Sequence, residues 1–193
     1  MSSLNQQKTN GINMKCTSCG NGTLNSSYLE PELPCYNCSN CDGNLLMLSD
    51  FLRWKENHKD NELTTSNIIV EAQETSKAMA CPKTGRFMTK YKISKDSEHR
   101  LDLSPSINAV WIDKGEWELL KEKGLASNIN SIFTDHWQED IRSGESSDIM
   151  SMIYERKFGE RYNDIKAFRE LIKDKEYRSQ AIAYLMAEDP YKP

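Results

Sequence analysis

Five of the six cysteines in this 193-residue chain stand between Cys16 and Cys41, and four of them fall in two Cys-x-x-Cys turns, Cys16-Thr-Ser-Cys19-Gly20 and Cys38-Ser-Asn-Cys41-Asp-Gly43. Such a turn supplies two thiolates from one tight loop whose backbone N–H groups point at the sulfurs, and two turns complete a tetrahedral shell. Clustered cysteines also serve as disulfide frameworks, but in chains with a secretory start. The opening Met1-Ser-Ser-Leu-Asn-Gln-Gln-Lys-Thr-Asn has no apolar segment after a basic start, so metal ligation is expected and the chain is read as cytoplasmic. The longest apolar stretch, Ala181 to Ala187, is too short to cross a bilayer, and no membrane contact is expected.

The expected ligands are Cys16, Cys19, Cys38 and Cys41. Four thiolates leave no position for water, so the ion is expected to be structural and not catalytic. Zinc is the expected ion, with a rubredoxin-like iron centre as its main competitor and a redox dithiol third. Cys35, Cys38 and Cys41 form two overlapping pairs. The trailing Asp42-Gly43 places the turn at Cys38 and Cys41, leaving Cys35 as a spare thiol that behaves as a small buried hydrophobe. A glycine soon after each second cysteine is read as relieving the bend. With only 37% hydrophobic residues, small units here are short of core material, and a structural zinc contributes on the order of 10 kcal/mol to folding in comparable small domains.

Five segments follow from the pattern: a polar tail, 1–13; a metal-bound unit, 14–60; a linker, 61–77, with an Ile68-Ile69-Val70 island; a second unit, 78–124; and a helical C-terminal region, 125–193. The second unit repeats the first. Placing Cys81 on Cys16 puts Thr84 on Cys19 and Gly85 on Gly20; with one inserted residue, Ser104 falls on Cys38 and Ile107 on Cys41. Val110-Trp111-Ile112 then matches Asn44-Leu45-Leu46, and Trp117 matches Phe51. This copy has lost its ligands, so side chains such as Phe87, Tyr91, Trp111 and Trp117 are expected to hold it. Alternation through Phe87–Ser94 and Arg100–Leu103 predicts a hairpin turning at Lys95-Asp96-Ser97. Asp113-Lys-Gly-Glu116 is a capping-box pattern for a helix through Trp117, Leu119 and Leu120 that stops near Gly124. Beyond 125, apolar residues recur at helical spacing, with breaks expected at Gly144, Gly159 and Asp174 and the stripes read as the core of a small bundle.

The fold class expected is therefore α+β: tandem zinc-ribbon-like antiparallel units, the second without metal, followed by a C-terminal helical bundle. Cys81-Pro-Lys-Thr-Gly-Arg-Phe-Met88, with Ala109-Val-Trp-Ile-Asp-Lys-Gly-Glu-Trp-Glu-Leu-Leu120, resembles the bacterial zinc-ribbon family named after transcription factor IIB. The first copy supplies the cysteines and the second the Trp-Ile-Asp-Lys-Gly-Glu signature, so the resemblance covers residues 14–124. It implies zinc binding and a link to transcription or another nucleic-acid process, and it implies no reaction. The missing ligands of the second copy depart from the family pattern.

A net charge of −4 spread over both signs is not the footprint of a general DNA binder. Locally, Lys83, Arg86, Lys90, Lys92, Lys95 and Arg100 face only Asp96 and Glu98 within 81–101. This basic hairpin is the candidate surface for a protein partner or for nucleic acid, and lysines that keep a strand edge from aggregating are the plainer reading. The three histidines match no ligand spacing, and phosphate loops, nucleophile elbows and His-Glu-x-x-His helices are absent. The chain is therefore expected to be a zinc-binding adaptor or regulatory protein, not an enzyme, with no small-molecule substrate. The alternative is a thiol-dependent or redox enzyme using Cys35 or Cys81.

Overall fold

The computed structural model describes residues 14–58, 72–73 and 76–191. The expected tail, 1–13, and most of the expected linker, including the Ile68-Ile69-Val70 island, lie outside the described residues. The chain divides into two compact units, Met1–Arg142 and Ser143–Pro193.

The first unit is α+β. Its strands are β1 (Met14–Lys15), β2 (Thr23–Glu30), β3 (Leu33–Cys38), β4 (Asn44–Met47), β5 (Thr89–Lys92), β6 (Arg100–Ser104) and β7 (Ala109–Ile112), with helices α1 (Leu48–Asn57) and α2 (Glu116–Glu122) after β4 and β7. All seven strands form one antiparallel sheet in the order β1-β2-β3-β4-β7-β6-β5. The first half thus runs four strands and a helix and the second three strands and a helix, with an isolated Ala80–Phe87 bridge in place of β1, and the halves meet where β4 lies against β7. The register there pairs Asn44 with Ile112, Leu45 with Trp111 and Leu46 with Val110. Exchanging the residues that the sequence equates, 44–46 with 110–112, turns the first pair into the third and leaves Leu45–Trp111 in place. The ladder therefore has the register of a local two-fold axis through Leu45 and Trp111.

Side-chain alternation along these strands builds two cores. On one face Leu33, Cys35, Leu46, Ile93, Val110 and Ile112 pack with Phe51 and Trp54 of α1 and with Trp117 and Leu120 of α2. The other face buries Met14, Leu24, Leu45, Met79, Met88 and Trp111 together with Cys16, Cys38 and Cys81. A polar clasp also ties the halves. Glu30 at the end of β2 accepts hydrogen bonds from Trp117 Nε1 at 2.7 Å and Lys121 Nζ at 2.8 Å, both on α2.

Helix α2 begins and ends as its sequence requires, with one difference. Glu116 Oε2 accepts from the Asp113 N–H at 2.7 Å, the reciprocal half of a capping box. The difference is that the Asp113 carboxylate also accepts from Trp111 Nε1 at 2.6 Å, an acceptor that the buried indole needs. At the other end Gly124 adopts φ +66°, and the N–H groups of Gly124 and Leu125 donate to Lys121 and Leu120, a Schellman closure.

The stretch after α2 belongs to the first unit. A 3-10 turn (Ala126–Asn128), α3 (Ile129–Ile132) and the start of α4 (Asp135–Phe158) follow, and Ala126, Ile129 and Ile132 join the α1–α2 core. Trp137 Nε1 and Gln138 Nε2 donate to the carbonyls of Ile93 and Lys92, which fixes the start of α4 beside the β5–β6 hairpin. Gly144 does not break α4: its cost of roughly 1 kcal/mol against alanine is absorbed within a 24-residue helix. Gly159, at φ +54°, does end it.

The second unit contains the rest of α4, a 3-10 turn (Gly159–Arg161), α5 (Tyr162–Ile172) and α6 (Arg178–Met186). The helices form at the expected places, but the expected internal core does not. Ile172 is the one buried hydrophobic residue among those described in this unit, while Ile149, Met152, Ile165, Leu171, Leu185 and Met186 are exposed.

Candidate metal centre

Two loops on the second face of the sheet converge to form the site. The first joins β1 to β2, and the Cys16 N–H donates to Gly22 O while the Gly20 N–H donates to Cys16 O. The bend places Gly20 at φ +73°, a left-handed conformation suited to glycine. The second loop joins β3 to β4, with the Cys38 N–H donating to Gly43 O and the Asp42 N–H to Cys38 O. Here Asp42 itself takes the positive φ, +58°, and Gly43 does not.

The two glycines of the second-cysteine pattern therefore have different reasons. At Gly43 a Cβ would run into the six-membered ring of Trp111, so the glycine is there to let the indole lie against the loop. Gly22, which the spacing did not single out, is the closest constraint on the shell: a Cβ there would run into Cys38 Sγ and Asn40 Cβ.

The sulfurs of Cys16, Cys19, Cys38 and Cys41 all lie within 4.8 Å of one another. Cys16 and Cys41 are 3.8 Å apart and Cys19 and Cys38 3.7 Å apart, far beyond the roughly 2.05 Å of a disulfide. A tetrahedral shell with metal–sulfur bonds of about 2.3 Å has sulfur–sulfur edges of about 3.8 Å, so two of the edges already have coordination length. Backbone N–H groups of Gly22 and Asn40 point at Cys19 and Cys38, both at 3.4 Å. The four cysteines are thus positioned to hold a metal ion, and they are the one such group among the described residues.

Without an ion, the four thiols share the site unequally. Burial, with hydrogen bonding among the sulfurs, pushes Cys16 up to about 11 and Cys41 well above the ordinary thiol range. Burial also opposes ionisation of Cys19, but the N–H groups of Asn21 and Gly22 and the Asn40 side chain outweigh it and bring Cys19 down to about 6. Cys19 therefore ionises more readily than Cys16 and Cys41, and metal binding displaces the protons that the sulfurs carry.

Cys35 is not part of the shell. It is buried in the core on the opposite face of the sheet, its thiol contacts Asn44 Oδ1 at 3.5 Å, and burial pushes it up to about 11. The reason is the strand period: on β3, Cys35 and Cys38 lie three residues apart and so face opposite sides.

The second half keeps both loops and one of the four sulfurs, Cys81. The Cys81 N–H donates to Arg86 O and the Gly85 N–H to Cys81 O, with Gly85 at φ +69°; Asn108, equivalent to Asp42, takes φ +48°. Cys81 is fully buried. Burial opposes its ionisation, but the hydroxyls of Ser104 and Thr84 and the N–H groups of Lys83 and Thr84 outweigh it and lower its pKa. Thr84 and Ser104 stand where Cys19 and Cys38 stand in the first half, and both contact the Ser106 hydroxyl, at 3.4 and 3.3 Å.

Both cysteine loops also hold the second half. Thr17 Oγ1 donates to Ala80 O, Ser18 Oγ contacts Asp113 Oδ1 at 3.5 Å, and Lys114 Nζ reaches Asp42 Oδ2 at 2.9 Å. Ordering the cysteine loops therefore orders the neighbouring half, a link that spacing alone did not reveal.

The candidate basic hairpin divides. Lys90 pairs with buried Asp102 at 2.7 Å, Lys92 with Glu98 at 3.1 Å, and Arg100 with Glu98 at 3.8 Å. Asp102 lies one residue beyond the 81–101 stretch and sits across the ladder from Lys90 on β6. Lys95 is exposed at the hairpin turn. Lys83 and Arg86 are exposed on the Cys81 loop and make no ion pair among the described residues, and Phe87 beside them is 77% exposed. Phe87 thus does not hold the second half; Met88 points inward instead, matching Leu24 in the first half.

The site is a four-cysteine cluster, positioned to hold a metal ion and carried on an antiparallel sheet. Comparison with known proteins gives no match to a family model, a curated protein or a solved structure. Among the described residues, no helix is long and apolar enough to cross a membrane.

Proposed function

We propose that this chain is a zinc-stabilised adaptor, a duplicated zinc ribbon whose first copy binds zinc and whose second copy presents a surface to a macromolecular partner. The observation that carries the reading is the four-sulfur shell itself: all four tetrahedral positions are filled by protein thiols, so the ion orders the loops and has no open position for substrate. The duplication rests on the repeated strand order, the two-fold register of β4 and β7, and the loop geometry kept around Cys81 with Thr84, Ser104 and Ile107 in place of the other cysteines.

The resemblance to the zinc-ribbon family named after transcription factor IIB points to a partner in transcription or another nucleic-acid process. Lys83, Arg86 and Phe87 are the centre of the partner surface, since Lys90, Lys92 and Arg100 spend their charge on Asp102 and Glu98. Capture from native lysate with and without nuclease tests this. The adaptor reading expects a salt-sensitive complex that Lys83→Glu with Arg86→Glu abolishes while metal content stays unchanged; a complex indifferent to both salt and these substitutions contradicts it.

A thiol-dependent activity is the second reading, and the lowered pKa of Cys81 is the observation in its favour. Its full burial opposes attack on any substrate. Alkylation of Cys81 in the metal-loaded protein together with loss of a measurable turnover supports the enzyme; resistance to alkylation excludes it.

A further inference from the structure

The second unit holds an apolar groove with a charged rim. Met150, Tyr154 and Phe158 on α4 and Ile165, Lys166 and Arg169 on α5 line a space of about 520 Å³, within the roughly 300–1,000 Å³ range of binding sites. Lys166 and Arg169 are the charged residues of its lining, and no carboxylate contributes to it. Arg169 meets Glu170 at 3.0 Å with both side chains exposed, an interaction too weak to occupy the guanidinium.

The same unit holds an exposed helix that does not line the groove. After a polar opening, Arg178-Ser-Gln180, helix α6 continues as Ala181-Ile-Ala-Tyr-Leu-Met186, a run apolar enough to call for cover. It has no buried residue: Ile182 is 41% exposed, Leu185 62% and Met186 81%. Directly after it come Glu188 and Asp189. At 1.5 Å per residue α6 is about 13 Å long, and the α4 side of the groove, from Ser147 to Phe158, is about 16 Å long.

We propose that α6 of one copy of this chain seats in the α4–α5 groove of a second copy, and reciprocally, making the protein a two-fold dimer. Ile182, Leu185 and Met186 cover the apolar floor, and Glu188 and Asp189 meet Lys166 and Arg169. An isologous exchange closes on two copies because each gives one helix and offers one groove. Having two seats brings the contact toward the roughly 800 Å² per partner of a standard interface. The near balance of acidic and basic residues over 143–193 suits self-association, since neither sign dominates the face.

Sedimentation of the full chain across the micromolar range tests the proposal, with circular dichroism to follow helix content. The wild type is expected to form a dimer. Leu185→Glu is expected to give monomer, and Lys166→Glu with Arg169→Glu to weaken the dimer roughly tenfold or more. Adding Glu188→Lys with Asp189→Lys to that pair restores the complementary charges and is expected to restore the dimer. A wild-type monomer throughout, a dimer indifferent to Leu185→Glu, or a charge-reversed pair that the second reversal fails to rescue each overturns it. A monomeric wild type also marks the seat as intramolecular or as belonging to another protein.

Discussion

Gly43→Ala is a substitution whose sign depends on one ring. Gly43 has ordinary negative φ, so alanine suits its backbone, and restricting the unfolded chain would by itself stabilise by about 0.4–1 kcal/mol. The added Cβ, however, meets Cζ2, Cε2 and Cη2 of Trp111, a ring that is 1% exposed and held by its hydrogen bond to Asp113. Overpacking of this kind costs about 1–3 kcal/mol, for a net loss of about 1–2 kcal/mol. At roughly 2–4 °C per kcal/mol for a chain of this size, Tm falls by about 2–8 °C. Trp111→Leu, which has no atoms at those three positions, costs about 2–4 kcal/mol alone through the cavity it leaves. In that background Gly43→Ala is expected to raise Tm slightly, giving a coupling of at least about 1.5 kcal/mol between the two sites. Thermal and urea unfolding of the four proteins, all metal-loaded, measure the cycle. Additive effects, or stabilisation by Gly43→Ala alone, would refute the claim that Trp111 dictates the glycine.

Cys35→Ser is expected to leave metal content unchanged while lowering stability by about 1–2 kcal/mol, as a polar group enters the apolar core; metal analysis with urea unfolding checks both halves. Lys90→Ala removes a cation from Asp102, whose side chain is 3% exposed, and is expected to cost about 3 kcal/mol. Lys92→Ala, whose partner Glu98 is largely exposed, leaves Tm nearly unchanged, and calorimetry of the pair tests the contrast. Acidification is expected to release metal, because protons compete for each sulfur and bound thiolates must all be ionised. In the metal-free protein the signs are opposite for two thiols. The lowered Cys19 favours the fold above the unfolded thiol range and loses that contribution as pH falls through about 6, whereas the raised Cys16 favours it below that range and loses it as pH rises through about 11. Metal retention and Tm across a pH series follow these effects.

Spacing was enough to find the sulfurs, because a Cys-x-x-Cys turn encodes its own geometry: Cys16, Cys19, Cys38 and Cys41 are the residues that converge. It was also enough for the hairpin at 89–104, for α2 with its Glu116 and Gly124 ends, and for the helices of the C-terminal stretch. What escaped depends on partners distant in sequence. The role of Gly43 lies with Trp111, 68 positions on by the numbering, and the neutralisation of Lys90 lies across a ladder at Asp102. Alternation counted from Phe87 puts that ring inside; the repeat sets Met88 on Thr23, and the ladder, with Leu24 opposite Cys38 and Thr89 opposite Leu103, is what gives Met88 the place of Leu24. The apolar stripes of α4, α5 and α6 gave the helices correctly but said nothing about what covers them, since periodicity fixes a face and not its occupant.

Metal analysis of the purified full chain, before and after a strong chelator, bears most directly on the four-sulfur centre. One zinc per chain is predicted, lost in Cys16→Ser with Cys38→Ser, with chelation disordering the 16–22 and 38–43 loops and lowering Tm sharply. Protein that carries no metal, or that keeps its Tm unchanged once stripped, contradicts the account.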